Sequence, residues 1–237
     1  MRPPVYTACV RYACLRFNVK PSPKIHLIHA LRVSMAPIEA AFREQWPEAR
    51  IAHLLEDSLY SDFVAEGRLT GSMIERFRTL GRYCADAGAQ AILFTCSAFG
   101  PAIDAVKRDL PIPVLKPNEA LYDEIAARGG RIALLATFAP TLPSMMAEIE
   151  EHLRNSGRSA AVEPHLVQGA LDALTAGDDA AHDRLIAEAA AAHATMDAIA
   201  LAQFSMAPAR PLAEARVRVP VLTTPDSAVR KLQGLLG

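Results

Sequence analysis

Nowhere in the 237 residues does an apolar run approach the 18 or more that a membrane-spanning helix needs, because an Arg, Glu, Asp or His interrupts each one first. Cysteine is scarce: four residues, at 9, 14, 84 and 96, form no CxxC pair. That excludes a dense disulfide framework or a zinc-ribbon type of site and points to a reducing, cytoplasmic setting. An excess of charge of either sign is also missing, since 25 Lys and Arg stand against 26 Asp and Glu, which argues against a nucleic-acid partner. No GxGxxG or Walker-type loop occurs, and the Gly129-Gly130 pair precedes an apolar run where a phosphate loop would follow one. No nucleotide cofactor is expected, and no metal.

What remains is an ordinary globular composition, 51% hydrophobic and 22% charged with a mean hydropathy of +0.13, long enough for one large domain or two lobes. Residues 1–23 stand apart. They carry Arg2, Arg11, Arg16 and Lys20 with no acid, the first acid in the chain being Glu39. Arg11 and Arg16 break any secretory apolar core, so this segment reads as a basic, poorly ordered extension, with a transit peptide as the alternative.

From Lys24 onward short apolar runs alternate with helical stretches. The runs are 25–30, 51–55, 91–94, 114–115, 132–136, 161–167, 198–202 and 219–222. Continuous apolar runs suit strands of a parallel sheet covered on both faces. Between them Met73, Phe77, Leu80, Cys84 and Ala87 recur at steps of three and four, an amphipathic helix that Gly88 can end. The fold class is therefore α/β.

One internal offset, 107 residues, aligns several of these features at once. It places 24–28 on 131–135, Ile92 on Ile199, Pro101-Ala102 on Pro208-Ala209, and Pro113-Val114-Leu115 on Pro220-Val221-Leu222. The chain reads as two similar lobes, 24–130 and 131–237, each a parallel sheet flanked by helices, with a C-terminal segment able to pack back on lobe one. Ligands of open α/β sheets bind at the carboxyl ends of the strands, so two facing lobes place their equivalent loops across one cleft. In those loops Cys96 falls opposite Gln203.

Cys96 follows an apolar strand at a strand-to-helix turn, where unpaired N–H groups and the helix dipole are expected to lower a thiol pKa. The flanking hydroxyls of Thr95 and Ser97 suit a substrate carboxylate. Packing as a small hydrophobe is the competing reading for Cys96, and the expected one for Cys84 on its helix stripe. His26 and His29, three apart on a strand, face opposite sides and cannot chelate one metal; His29, near the strand end, is placed to face the cleft.

Two duplicated α/β lobes, Thr95-Cys96-Ser97 after a central strand of the first, Leu134-Leu135-Ala136-Thr137 with Thr141 at the start of the second, and Leu201-Ala202-Gln203-Phe204-Ser205-Met206-Ala207 in the second active-site loop together resemble the aspartate/glutamate/hydantoin racemase superfamily. The resemblance spans roughly residues 24–237. It implies a cofactor-independent enzyme acting on a small carboxylate, commonly as a homodimer. The family usually supplies one cysteine from each lobe as acid and base on opposite faces of the substrate; Cys96 matches the first, while the second position holds Gln203, which neither gives nor accepts a proton. The carboxylate would be held by Thr95, Ser97, Thr137, Thr141 and Ser205, with Ser34 in reach and Gln203 donating. Arg32 would pair a second carboxylate if it turned inward.

Three reactions fit one thiol. Cys96 serves one face of an enediolate while His29, Asp57 or Asp226 serves the other, giving racemisation. Alternatively the thiol protonates the carbanion left by decarboxylation of a malonate-type substrate. In a third, the thiolate adds to an unsaturated diacid and permits cis/trans rotation. A carboxylate-binding protein without catalysis is the reading from a different class. Phe99, Phe138, Phe204 and Met206, adjacent to these positions, are expected to line a partly apolar side-chain pocket.

Overall fold

The computed structural model describes residues 22–237; the basic extension read in 1–23, with Cys9 and Cys14, lies outside the described residues but for its last two positions. In chain order the elements are β1 (Lys24–His29), α1 (Met35–Gln45), β2 (Arg50–Leu55), α2 (Ser58–Glu66), α3 (Gly71–Asp86), β3 (Ala91–Phe94), α4 (Gly100–Asp109), β4 (Val114–Leu115) and α5 (Glu119–Arg128). They are followed by β5 (Arg131–Ala136), α6 (Thr141–Ser156), β6 (Ala161–Leu166), α7 (Ala170–Thr175), α8 (Asp179–Ala192), β7 (Ala198–Leu201), α9 (Arg210–Glu214), β8 (Val221–Thr223) and α10 (Thr224–Leu236). Every apolar run became a strand, within two residues at each end.

Two four-stranded parallel sheets result, ordered β2-β1-β3-β4 and β6-β5-β7-β8. The repeat is visible bond by bond. Gln90 N–H donates to Lys24 C=O and Asp197 N–H to Arg131 C=O, both at 2.8 Å; Ile92 N–H donates to Pro113 C=O and Ile199 N–H to Pro220 C=O, both at 2.9 Å. Each pair differs by 107 positions in both donor and acceptor. Even the cross-strand clasp recurs, Gln90 Oε1 accepting Lys24 N–H at 3.0 Å as Asp197 Oδ2 accepts Arg131 N–H at 2.7 Å. The offset slips only at the edge strands β2 and β6, because α6 is longer than α1.

Alternation along the strands sends side chains to two layers of helices. Ile25, Leu27 and Leu93 pack with Ile38 and Phe42 of α1, whereas Ile28, Ile92 and Phe94 pack with Phe77 of α3 and Ile103 of α4. The α3 stripe ends as its sequence dictates: Gly88 takes φ +84°, and Ala89 N–H returns to Cys84 C=O at 3.0 Å. The central strands β1, β3, β5 and β7 are nearly all buried, but β2 and β6 lie at sheet edges and stay partly exposed.

Two helices change sides. Leu121 and Ile125 of α5 pack with Ile132 and Leu134 of the second sheet, and Ala228, Val229 and Leu232 of α10 pack with Ile25 and Leu27 of the first. The exchange ties the two sheets together, reinforced by Arg230 to Glu124 at 2.7 Å and Arg210 to Glu44 at 2.7 Å. Among the described residues no helix is long and apolar enough to cross a membrane.

Candidate active site

All strands within a sheet run the same way, so the chain leaves β1 and β3 at one edge and β5 and β7 at the corresponding edge of the other sheet. The short turn Arg32–Ser34 after β1 packs against the 3-10 segment Phe204–Ala209 after β7, and Phe204 is seated in the core of the first sheet. Loops of the two halves thus meet where the strands end.

Cys96 is half-buried in extended conformation (φ −123°, ψ 122°) and caps the 3-10 turn Ser97–Phe99. Burial pushes its thiol pKa up, opposed only by the Ala98 N–H directed at the sulfur. This corrects the expectation of a lowered pKa. The helix α4 starts at Gly100, beyond that turn, and the helix-end field fades within about one turn. Cys96 is therefore a thiol at neutral pH. Cys84, on the α3 stripe, is fully buried and pushed up to about 11.

On the other side of the strand end the side chains of five residues join. Thr95 Oγ1 lies 2.9 Å from His29 Nδ1 and 2.8 Å from Ser34 Oγ, and Ser34 Oγ is 3.1 Å from the same Nδ1. His29 Nε2 lies 3.0 Å from His53 Nδ1, and His53 Nε2 is 3.3 Å from Glu39 Oε1. His29, Ser34 and Thr95 are buried. Desolvation, then the charge of His53, lowers the His29 pKa to about 4, so its ring is neutral at pH 7. His53 was not singled out from sequence. Its signal is parity: Leu27 pairs with His53 and His29 with Leu55, which makes His29 and His53 diagonal neighbours on one sheet face.

At the equivalent strand end of the second sheet, Gln203 Oε1 accepts both the backbone N–H of Thr137 at 2.7 Å and its hydroxyl at 3.1 Å. A backbone N–H can only donate, which fixes the amide orientation and turns the Gln203 NH2 away as a donor. Thr137, expected to donate to a carboxylate, spends its hydroxyl proton on Gln203 and acts by orienting it. Thr95 is engaged in the same way with His29 and Ser34.

The other expected residues are distributed as follows. Ser205 and Thr141 are partly exposed, Thr141 opening α6 with its N–H on Phe138 C=O at 3.0 Å. Ser97 is exposed and lines a cavity of about 430 Å³ with Asp104, Lys107, Asn118 and Tyr122, which Cys96 and Gln203 do not border. Its lysines are already neutralised, Lys107 by Glu119 at 2.6 Å and Lys116 by Asp104 at 3.0 Å, so it offers no free cation to an anion. Arg32 pairs outward with Asp57 at 2.9 Å, both exposed, which withdraws both from the site. Asp226 is held by Gln45 Nε2 at 2.6 Å and Thr223 Oγ1 at 2.5 Å and is absorbed in structure. Phe99, Phe204 and Met206 are core residues, not pocket lining, and only Phe138 is exposed. Among the described residues no three His, Cys, Asp or Glu side chains converge as a metal-ligand set.

Two pseudo-repeated four-stranded parallel sheets, each flanked by helices, with a thiol at one strand end and an oriented amide at its counterpart, define an α/β fold of two similar halves. The chain belongs to the Asp/Glu/Hydantoin racemase family, whose model matches residues 6–232. Solved structures share the fold at low identity. An aspartate racemase homologue from Pyrococcus horikoshii OT3 superposes with a TM-score of 0.67 at 18% identity, over 90% of this chain and 98% of that one. The allantoin racemase from Klebsiella pneumoniae gives 0.61 at 21%, over 91% and 88%, and unliganded arylmalonate decarboxylase 0.55 at 18%, over 91% and 94%. No curated protein sequence matches the chain.

Proposed function

We propose that this protein is a cofactor-independent enzyme that moves a proton at the carbon next to a carboxylate of a small substrate, with Cys96 as the proton-transferring group. The observation that carries this reading is the pairing of Cys96 and Gln203 at equivalent strand ends, one a protonated thiol and the other an amide whose free side only donates. A thiol protonated at neutral pH suits delivery of a proton to an enediolate carbon. The Gln203 NH2, the hydroxyls of Ser205 and Thr141, and the N–H groups following Cys96 supply neutral donors for the carboxylate, with Ser97 at the rim. Ser34 and Thr95 sit beneath the strand end, and Thr137 holds Gln203 in place.

A second reading is favoured by the same pair. With one protonated thiol and no ionisable group at 203, protonation of the carbanion left by loss of carbon dioxide from a malonate-type substrate needs nothing further from the second half. Incubation in D2O with amino acids, hydantoins and substituted malonates, followed by proton NMR, separates the two. Deuterium entering the α position of an otherwise unchanged substrate supports racemisation, and deuterated monoacid with carbon dioxide supports decarboxylation; either must vanish in Cys96→Ala. No exchange with any substrate, or exchange that survives in Cys96→Ala, would sink the reading.

A further inference from the structure

Leu31 and Phe138 occupy the same position of the internal repeat, 107 residues apart, and both are large apolar side chains left exposed, at 36% and 43%. The turns that carry them match bond by bond: Ser34 N–H donates to Leu31 C=O at 3.4 Å, and Thr141 N–H to Phe138 C=O at 3.0 Å. One strand further out the pattern recurs. Tyr60 of α2 stands five residues past Leu55, the end of β2, and Leu171 of α7 five past Leu166, the end of β6; both are exposed. Scattered apolar exposure needs no explanation, but exposure repeated at equivalent loops of both halves marks a surface built for an apolar ligand group.

Strand register sets Leu31 and Phe138 at the candidate site. Ile28 of β1 pairs with Phe94 of β3 and takes the Thr95 N–H on its C=O at 3.1 Å; Leu135 of β5 pairs with Leu201 of β7 and takes the Ala202 N–H at 2.9 Å. Continued by two residues, the pairing brings Ala30 level with Cys96 and Thr137 level with Gln203, where the Thr137 N–H indeed meets the Gln203 amide. Leu31 and Phe138 therefore stand one residue past the thiol and the amide, and the turn after Leu31 packs against the 3-10 segment that follows Gln203. Charge around these loops is already taken. Arg32 pairs with Asp57, Arg76 with Glu56 and Asp62, and Arg210 with Glu44 and Asp226, so neither a second carboxylate nor an ammonium group meets an unpaired counter-charge among them.

We infer that Leu31 and Phe138 select the substrate, a monocarboxylate whose carbon next to the carboxylate bears a bulky, uncharged apolar group, aryl or branched alkyl. This rests on the carboxylate-binding, proton-transfer function proposed above. The carboxylate takes the neutral donors, the Gln203 NH2 and the hydroxyls, while the apolar group covers the two exposed side chains and removes their surface from water. A dicarboxylate is discriminated against, because its second charge loses hydration without gaining a cation.

Protection of Cys96 from iodoacetamide reads the selectivity, with acetate, 3-methylbutanoate, phenylacetate and succinate as probes. Half-protection by phenylacetate and by 3-methylbutanoate is expected at concentrations at least ~10-fold below those of acetate and succinate. Leu31→Ser and Phe138→Ser are each expected to shrink the phenylacetate-to-acetate ratio at least ~3-fold, and Phe138→Leu to keep it. Both positions are exposed, so neither serine empties the core. Succinate protecting as well as phenylacetate, or a ratio unchanged in both serine variants, would overturn the selection and leave the Cys96 carboxylate site standing. Sedimentation velocity reads the other occupant: a dimer that both serine variants dissociate, with the ratio intact, would make this surface a contact between two copies of the chain and overturn the selection. Protection by none of the four probes would remove the underlying carboxylate reading instead.

Discussion

Gln203 Oε1 takes two hydrogen bonds from one residue, the N–H and the hydroxyl of Thr137, across the ends of β7 and β5. The consequence is that the amide nitrogen has one direction left, away from Thr137. Gln203→Glu keeps the two accepted bonds but replaces the free NH2 by a second carboxylate oxygen. Carboxylate ligands are expected to bind at least ~10-fold more weakly, since a hydrogen bond to a charged group contributes about 1.5–3 kcal/mol. Titration calorimetry with any ligand that protects Cys96 from alkylation checks this, and unchanged affinity would contradict the orientation.

Thr137→Val removes the hydroxyl bond to Gln203 while preserving shape and the backbone N–H. The expected loss of stability is about 1 kcal/mol, read from urea unfolding. A variant as stable as wild type would mean that the N–H alone holds the amide.

His29 sets a pH dependence of stability with a definite sign. Its folded pKa is about 4 against 6.5 for a free ring, so between those values the unfolded chain binds a proton that the folded chain refuses. Stability is full above about pH 6.5, falls as the pH drops toward 4, and levels off below; His29 contributes about 3 kcal/mol of that fall. Urea midpoints between pH 7 and 4 should show a flatter slope in His29→Asn than in wild type. Parallel slopes would show that His29 takes up its proton as readily in the fold as in the unfolded chain, contradicting the lowered value.

Gly81 sits mid-helix in α3, where a Cβ would lie 2.5 Å from Val106 Cγ1 on α4. Gly81→Ala should destabilise by about 1–3 kcal/mol despite alanine's better helix propensity. The double variant with Val106→Ala should cost less than the two single changes summed, because the second opens room for the first. Strict additivity would refute the contact.

The sequence made the architecture legible because continuous apolar runs report buried parallel strands, and because the duplication left Pro113-Val114-Leu115 and Pro220-Val221-Leu222 in register. The candidate site was legible only where position suffices. Strand-end placement singled out Cys96 and Gln203, which the structure sets at equivalent strand ends, but side-chain engagement is set by contacts no periodicity encodes: Thr137 turned to Gln203, Asp226 to Gln45, Arg32 outward to Asp57. The thiol's upward shift comes from burial, which a strand-to-helix turn read from sequence does not report. His53 was overlooked because a histidine on an edge strand acquires meaning only once β1 and β2 are paired in register.

The most direct test of Cys96 as the proton-transferring group in a carboxylate site is its alkylation rate by iodoacetamide as a function of pH, followed by mass spectrometry with Cys84 as the internal control, with and without a panel of small mono- and dicarboxylates. Cys96 is expected to react with a midpoint above that of a free thiol, faster than fully buried Cys84, and to be protected by at least one carboxylate. Labelling no faster than Cys84, or labelling that none of the carboxylates slows, would contradict the assignment.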